Sequence, residues 1–106
     1  MGSEEEEFEG ESGAIAIEKK IPKKPQKWAV ILHNDNYTTM EFVVEVLIRF
    51  FHKTQDEAMQ VMIKVHTQGR GIAGVYSRDI AETKAHATIE YAKKQGHPLR
   101  CTTEPV

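Results

Sequence analysis

The passage from an apolar run into a polar cluster at residues 32–42 constrains the fold of this chain more than any other feature. The run Trp28–Leu32 reads WAVIL, which is typical of a buried strand. The Asn-Asp-Asn sequence at 34–36 ends that strand, because these residues favour turns and tolerate left-handed backbone. Thr38 and Glu41 then match the T-x-x-E capping box, with Thr38 as the N-cap. The segment therefore predicts a strand that leads directly into an amphipathic helix.

The remaining elements follow from hydrophobic spacing and from the residues that begin and end helices. The expected elements are a first helix over 39–52, a second helix opened by the capping box Thr54–Glu57 and closed by a left-handed Gly69, a strand over 72–76, a third helix capped by Ser77 and stopped by Gly96, and a strand over 99–103. The predicted core stripe of the first helix consists of Phe42, Val43, Val46, Leu47 and Phe50. The order β-α-α-β-α-β predicts an α+β fold in which three helices pack against a three-stranded antiparallel sheet.

Residues 1–26 differ from the rest of the chain. A block of glutamates and glycines is followed by lysines and prolines, and this composition offers too little apolar area to offset the entropy of ordering. We therefore expect a disordered tail over 1–26 and one folded core domain over 27–106. The apolar island Ala14–Ile17 fits a contact with a partner and fits a tail segment without a role equally well.

Composition excludes several classes of protein. The net charge of −2 gives no overall attraction to nucleic acid or anionic membranes. A single cysteine, Cys101, excludes an internal disulfide and a multi-cysteine zinc site. No apolar stretch approaches the ~20 residues of a membrane span, and the acidic N-terminus is unlike a secretory signal. We expect a cytoplasmic monomer without a cofactor.

Two groups of residues are candidates for binding. The acceptors at 34–36 lie at the edge of the predicted core and suit a small ligand with N–H donors. On the second helix, His66 shares one side with Met62 and Val65. By spacing alone, His66 is more typical of a boundary histidine bonded to the backbone than of a ligand-binding group.

Motifs typical of enzymes are not in the context that they require. Residues 69–74 spell G-x-G-x-x-G, but they follow a predicted helix and open a strand, which is the reverse of the nucleotide-binding arrangement. The five histidines show no metal-binding spacing, and the serines lie in no nucleophile motif. The sequence indicates a binding protein and not an enzyme.

Several ordered segments together resemble the ClpS family of protease adaptors. Residues 34–43 fit N-D-[DN]-x-[TS]-x-M-E-[FY]-V. The segments Met62–His66, Gly69–Gly71, Ala81–Lys84 and Gly96–Thr102 follow in order. The resemblance covers almost all of the predicted domain, from Trp28 to Thr102.

This resemblance implies an adaptor that binds proteins with a free N-terminal Leu, Phe, Tyr or Trp and delivers them to a ClpA-type AAA+ unfoldase. It implies that the α-amino group of the substrate is held by Asn34, Asn36 and His66, with Asp35 adding negative charge. It further implies an apolar pocket for the first side chain, formed by Leu32, Thr38, Met40, Val43, Met62, Val65 and Leu99. Contacts with the N-terminal domain of the unfoldase are implied for Asp79, Glu82 and Lys84.

One position departs from the family pattern, in which most bacterial members carry Asp where this chain has Asn36. Asn keeps a carbonyl acceptor but lacks the charge, which affects affinity more than binding mode. Two alternatives stay open. One is a docking module for a protease or translation partner that does not recognise amines. The other is a small metal-dependent hydrolase that uses His66 and Asp35.

Overall fold

The computed structural model describes residues 25–106, so the predicted tail lies outside the described residues except for positions 25 and 26. The predicted order of elements and the antiparallel three-stranded sheet are confirmed. The elements are β1 (Trp28–His33), α1 (Met40–Phe51), α2 (Gln55–Gln68), β2 (Arg70–Tyr76), α3 (Arg78–Lys94) and β3 (Arg100–Pro105). Within these residues, no helix is long and apolar enough to cross a membrane.

Strand β1 forms the centre of the sheet, in the order β2-β1-β3. Both neighbours are antiparallel to it, and Trp28 pairs with Tyr76 on one side and with Pro105 on the other. Val30 and Leu32 belong to the core cluster that also contains helix residues. Ile31 alternates with them and is nonetheless buried, between its cross-strand neighbours Ile72 and Thr102. The central position therefore explains why the whole WAVIL run is apolar.

The predicted cap of α1 at Thr38 is wrong by one residue. Thr39 is the N-cap, and its hydroxyl accepts a hydrogen bond from the Phe42 N–H at 3.1 Å. Thr38 belongs to the turn before the helix, where its N–H and its hydroxyl both donate to Asp35, at 2.7 Å each. The turn made by Asp35 thus delays the start of the helix to Met40.

The predicted ends of α2 are confirmed. Thr54 and Glu57 form the reciprocal capping box, and Gly69 ends the helix at a φ of 90°. Gly69 tolerates this left-handed conformation because it has no Cβ. Ser77 occupies the N-cap position of α3, as predicted, although its side chain makes no capping hydrogen bond.

The core stripe of α1 needs one correction. Phe42, Val43, Val46 and Leu47 are buried as predicted, but Phe51 rather than Phe50 completes the buried set. The Phe51 ring packs near Tyr76 of β2, with 6.4 Å between ring centroids. Phe50 is only partly buried and packs at the margin of the core near Tyr91 of α3.

Candidate functional site

A cleft of about 430 Å³ lies between the loop after β1, the start of α1 and the second half of α2. All but two of the residues expected to bind the substrate terminus line it, the exceptions being Leu32 and Leu99. Its lining residues are Asn34, Asp35, Asn36, Thr38, Thr39, Met40, Glu41, Val43, Met62, Val65 and His66. The fold therefore brings residues from two separate segments of the sequence, 34–43 and 62–66, to one surface.

Asn34, Asn36 and His66 form the polar end of the cleft. A backbone hydrogen bond of 2.9 Å from the Asn34 N–H to the Gly69 carbonyl ties the loop after β1 to the end of α2. This link places Asn34 beside the helical turn that carries His66. All three side chains are exposed, and none is hydrogen-bonded to another side chain or to the backbone within residues 25–106. Their acceptor atoms are therefore available to a ligand.

Asp35 organises the loop between these acceptors. One carboxylate oxygen accepts from the Tyr37 and Thr38 N–H groups at 2.8 and 2.7 Å, and the other accepts from the Thr38 hydroxyl at 2.7 Å. Burial raises the pKa of the Asp35 carboxyl, but the hydrogen bonds from Thr38 and Tyr37 outweigh it and hold the pKa below its ordinary 3.8. Asp35 is thus a carboxylate at neutral pH. Three of its roughly four lone pairs are already used.

The apolar end of the cleft is an extension of the core. Val43, Met62 and Val65 are buried and form the floor. Met40 lies at the rim in the first turn of α1, and 47% of it is exposed. A pocket whose floor is buried and whose rim is a flexible side chain can accept an apolar group of variable shape.

Leu32 and Leu99 do not reach the surface of the cleft. Both are buried in the core cluster that contains the floor residues, so they support the floor from behind. Their assigned contact with a bound side chain stays a prediction. Conversely, Thr39 and Glu41 line the cleft and were missed, because the capping box placed on Thr38 accounted for this segment as a helix start.

The second predicted surface lies on α3, where Asp79 and Glu82 are exposed. Glu82 forms an ion pair with Arg78 at 3.2 Å. Lys84 is engaged differently: its ammonium group donates to the Phe50 carbonyl at 2.8 Å, at the end of α1. A cation in this position is favourable because the last carbonyls of a helix carry partial negative charge. Lys84 therefore has a role within the fold, whereas the two carboxylates face solvent.

His66 and Asp35 both line the cleft, but they do not belong to a metal-binding cluster. Among residues 25–106, the His, Cys, Asp and Glu side chains form no group of three or more that could hold a metal ion.

Comparison with known proteins identifies the family. The model of the family described as "ATP-dependent Clp protease adaptor protein ClpS" matches residues 23–102. The ATP-dependent Clp protease adapter protein ClpS of Lawsonia intracellularis is 49% identical over 95 residues, which cover 90% of this chain and 86% of that protein. The protein of the same name from Deinococcus radiodurans is 51% identical over 89 residues, covering 84% of this chain and 79% of that one.

A solved structure shares both the fold and much of the sequence. The structure of Agrobacterium tumefaciens ClpS2 bound to L-phenylalaninamide matches with a TM-score of 0.75 at 42% identity. The match covers 78% of this chain and 100% of that chain.

Proposed function

The chain belongs to the ClpS family of Clp protease adaptors, which are not enzymes, and on that premise we propose that it binds proteins with a free N-terminal Leu, Phe, Tyr or Trp. In this proposal it delivers them to a ClpA-type AAA+ unfoldase for degradation. The cleft at the start of α1 binds the terminal residue, and the exposed face of α3 contacts the N-terminal domain of the unfoldase.

The observation that carries the proposal is the pairing of three available acceptors with an apolar floor in one cleft. A protonated α-amine has three N–H donors and needs acceptors arranged around it. Asn34 and Asn36 offer carbonyl oxygens, and a neutral His66 offers a ring nitrogen. An internal residue of a protein has a single backbone N–H and no charge, so it cannot satisfy this set.

Asp35 contributes charge in addition to holding the loop. Its carboxylate lies between the two amide acceptors in sequence and carries the negative charge on this stretch of the loop. It attracts an ammonium group, and this attraction compensates in part for the negative charge that the Asn36 side chain lacks. The loop is held in place before the ligand arrives, which lowers the entropic cost of binding.

The apolar floor accounts for the choice of side chain. Leu, Phe, Tyr and Trp place a flat or γ-branched group between Val43, Met62 and Val65. Val and Ile are branched at Cβ and collide with the rim at Met40. The L-phenylalaninamide bound to Agrobacterium tumefaciens ClpS2 has a free amine next to a benzyl group, the two features that this cleft is proposed to read.

The decisive experiment compares a labelled peptide that begins with Phe with the same peptide acetylated at its N-terminus. Burial of the first side chain contributes about 1.5–3 kcal/mol, and two or three charge-assisted bonds add to it. After the cost of association, a dissociation constant near micromolar, about −8 kcal/mol, is expected for the free amine. The acetylated peptide should bind far more weakly. Equal binding of the two peptides would refute amine recognition and favour the docking module.

Variants localise the site. His66→Ala and Asn34→Ala should each weaken binding of the free peptide without changing the weak binding of the acetylated one. Gln68→Ala is the matched control, since Gln68 is exposed near His66 on α2 but does not line the cleft. A loss of affinity in the control equal to that in His66→Ala would contradict the assignment.

Delivery is tested separately on α3. Asp79→Lys should reduce binding to the N-terminal domain of a ClpA-type unfoldase while peptide affinity is unchanged. Glu90→Lys makes the same charge change on an exposed residue about 16 Å farther along the helix, and it should bind the unfoldase normally. If both variants bind the unfoldase equally weakly, only net charge matters. If both bind it normally, Asp79 is not a contact.

A further inference from the structure

A second depression, which we call the Met59 groove, lies next to the cleft, between α1 and α2. It has a volume of about 440 Å³ and is lined by Met40, Glu41, Val44, Gln55, Met59 and Met62. Met40, Glu41 and Met62 also line the cleft, so the two depressions share one boundary. A ligand that leaves the cleft on this side enters the groove.

The Met59 groove is mostly apolar, with Glu41 and Gln55 as its two polar lining residues, and it is incompletely covered. Met40 and Met59 are 47% and 38% exposed, and Val44 is only partly buried. Methionine side chains adapt to groups of different shape. Exposed apolar surface that continues from a ligand cleft is a natural place for further contacts of the same ligand.

The direction of a bound peptide follows from the positions of the acceptors. His66 lies near the C-terminal end of α2, and Asn34 is tied to Gly69 just beyond that end. Gln55 and Met59, which line the groove, lie at the N-terminal end of the same helix. A peptide with its amine at His66 and its first side chain on Met62 therefore continues toward the groove.

The spacing selects which residue of the peptide arrives there. On α2, positions 62, 65 and 66 line the cleft, whereas positions 55, 59 and 62 line the groove, so the groove is shifted toward the start of the helix. This shift corresponds to about 8 Å along the helix axis. In an extended chain, side chains i and i+2 point to the same face and are about 7 Å apart. With the first side chain in the cleft, the third one faces the groove, and the second points away.

We propose that the Met59 groove binds the third side chain of the N-terminal peptide and prefers an apolar one. The inference rests on the proposed function, since it takes the amine to be bound by Asn34, Asn36 and His66. It extends the substrate class from one terminal residue to a pattern in which the first and third residues are both apolar.

The test uses three peptides of equal length and charge that begin Phe-Ala-Leu, Phe-Ala-Ser and Phe-Leu-Ala, each with a free and with an acetylated N-terminus. Titration of the wild-type protein should show about three- to tenfold tighter binding of Phe-Ala-Leu than of Phe-Ala-Ser, the effect of partly burying one Leu side chain. Phe-Leu-Ala should bind less than about twofold more tightly than Phe-Ala-Ser, because a second side chain faces away from the protein.

A pair of variants assigns the effect to the groove. Met59→Gln keeps side-chain length and helix propensity but makes the groove polar, so it should remove the preference for Leu over Ser and leave Phe-Ala-Ser binding unchanged. Ile63→Gln is the control, because Ile63 is also exposed on α2 but lines neither depression. It should keep the preference of the wild type.

The outcomes separate this inference from the function on which it rests. Equal affinity for Leu and Ser at the third position, a preference at the second position instead, or a preference that survives Met59→Gln each overturns the groove assignment. If free peptides still bind far more tightly than acetylated ones, amine recognition stands regardless. If acetylation has no effect on any peptide, the proposed function itself fails.

Discussion

Replacement of Asp35 separates the organisation of the binding loop from direct contact with the ligand. Asp35→Ala removes three hydrogen bonds of 2.7 to 2.8 Å, two from backbone N–H groups and one from the Thr38 hydroxyl. Buried hydrogen bonds to a charged group contribute about 1.5–3 kcal/mol each, but solvent competes at this half-buried position. We therefore assign each bond about 0.5–1 kcal/mol, and the free energy of unfolding should fall by about 1.5–3 kcal/mol.

The pH dependence of this loss has a definite sign. The pKa of Asp35 lies below its ordinary value of 3.8 in the folded protein. A carboxyl group whose pKa is lowered by folding stabilises the protein above its unfolded pKa, and the stabilisation is lost as pH falls through the folded pKa. The difference in unfolding free energy between wild type and Asp35→Ala should be constant from pH 7 to 5 and narrow below about pH 4.

The assay is urea denaturation of wild type, Asp35→Ala and Asn36→Ala, combined with titration of the Phe peptide. The Asn36 side chain makes no hydrogen bond among the described residues, so Asn36→Ala should change the free energy of unfolding by less than about 0.5 kcal/mol. It should weaken peptide binding, because it removes a proposed acceptor for the amine. Asp35→Ala should lower both the free energy of unfolding and the affinity for the peptide. The reasoning is refuted if Asp35→Ala is as stable as the wild type, or if Asn36→Ala is destabilised as much as Asp35→Ala.

Three further predictions follow from the cleft and the core. Met40→Ala should open the rim and admit peptides that begin with Ile or Val while Leu and Phe still bind; an unchanged profile in a peptide array would mean that Met40 does not select. Asn36→Asp should tighten binding of the Phe peptide by about 0.5–1.5 kcal/mol through a charge-assisted bond, reduced by repulsion from Asp35, and titration at one ionic strength would contradict this if affinity stays the same. Cys101 is buried, and this burial raises the pKa of its thiol to about 12, so a thiol reagent at pH 8 should label it only after denaturation. Rapid labelling of the native protein would contradict the burial of Cys101.

The strands and helices were predictable because they depend on local signals, whereas the residues of the cleft were expected from the resemblance to the ClpS family. The WAVIL run, the capping box at Thr54 and the left-handed Gly69 each act within a few residues of sequence. The predicted cap of α1 is wrong because Thr38 fits the T-x-x-E motif, whereas Thr39, which has Phe42 three residues later, does not fit it and is nonetheless the N-cap. The position of the cap depends on Asp35, whose carboxylate accepts hydrogen bonds from Thr38 and keeps that residue in the turn before the helix.

Depth and long-range contacts could not be read from the sequence. The family resemblance implies that Leu32 and Leu99 are pocket residues, whereas the structure shows only that both are buried in the core cluster with the floor residues. Lys84 lies 34 residues from the Phe50 carbonyl to which it donates, and nothing local to α3 signals that bond. Spacing shows that residues share a face, whereas only the assembled fold shows what that face touches.

The hydrogen bond between the Asn34 N–H and the Gly69 carbonyl has a consequence for how the protein responds to its ligand. It joins into one unit the loop after β1, which carries Asn34, and the end of α2, which carries His66, so a local opening on either side disturbs the arrangement of the acceptors. A ligand held across this junction shifts the opening equilibrium of the whole unit. The amide protons of Asn34 and Gly69, on the two segments that this bond joins, should therefore both exchange with solvent more slowly when the cleft is occupied.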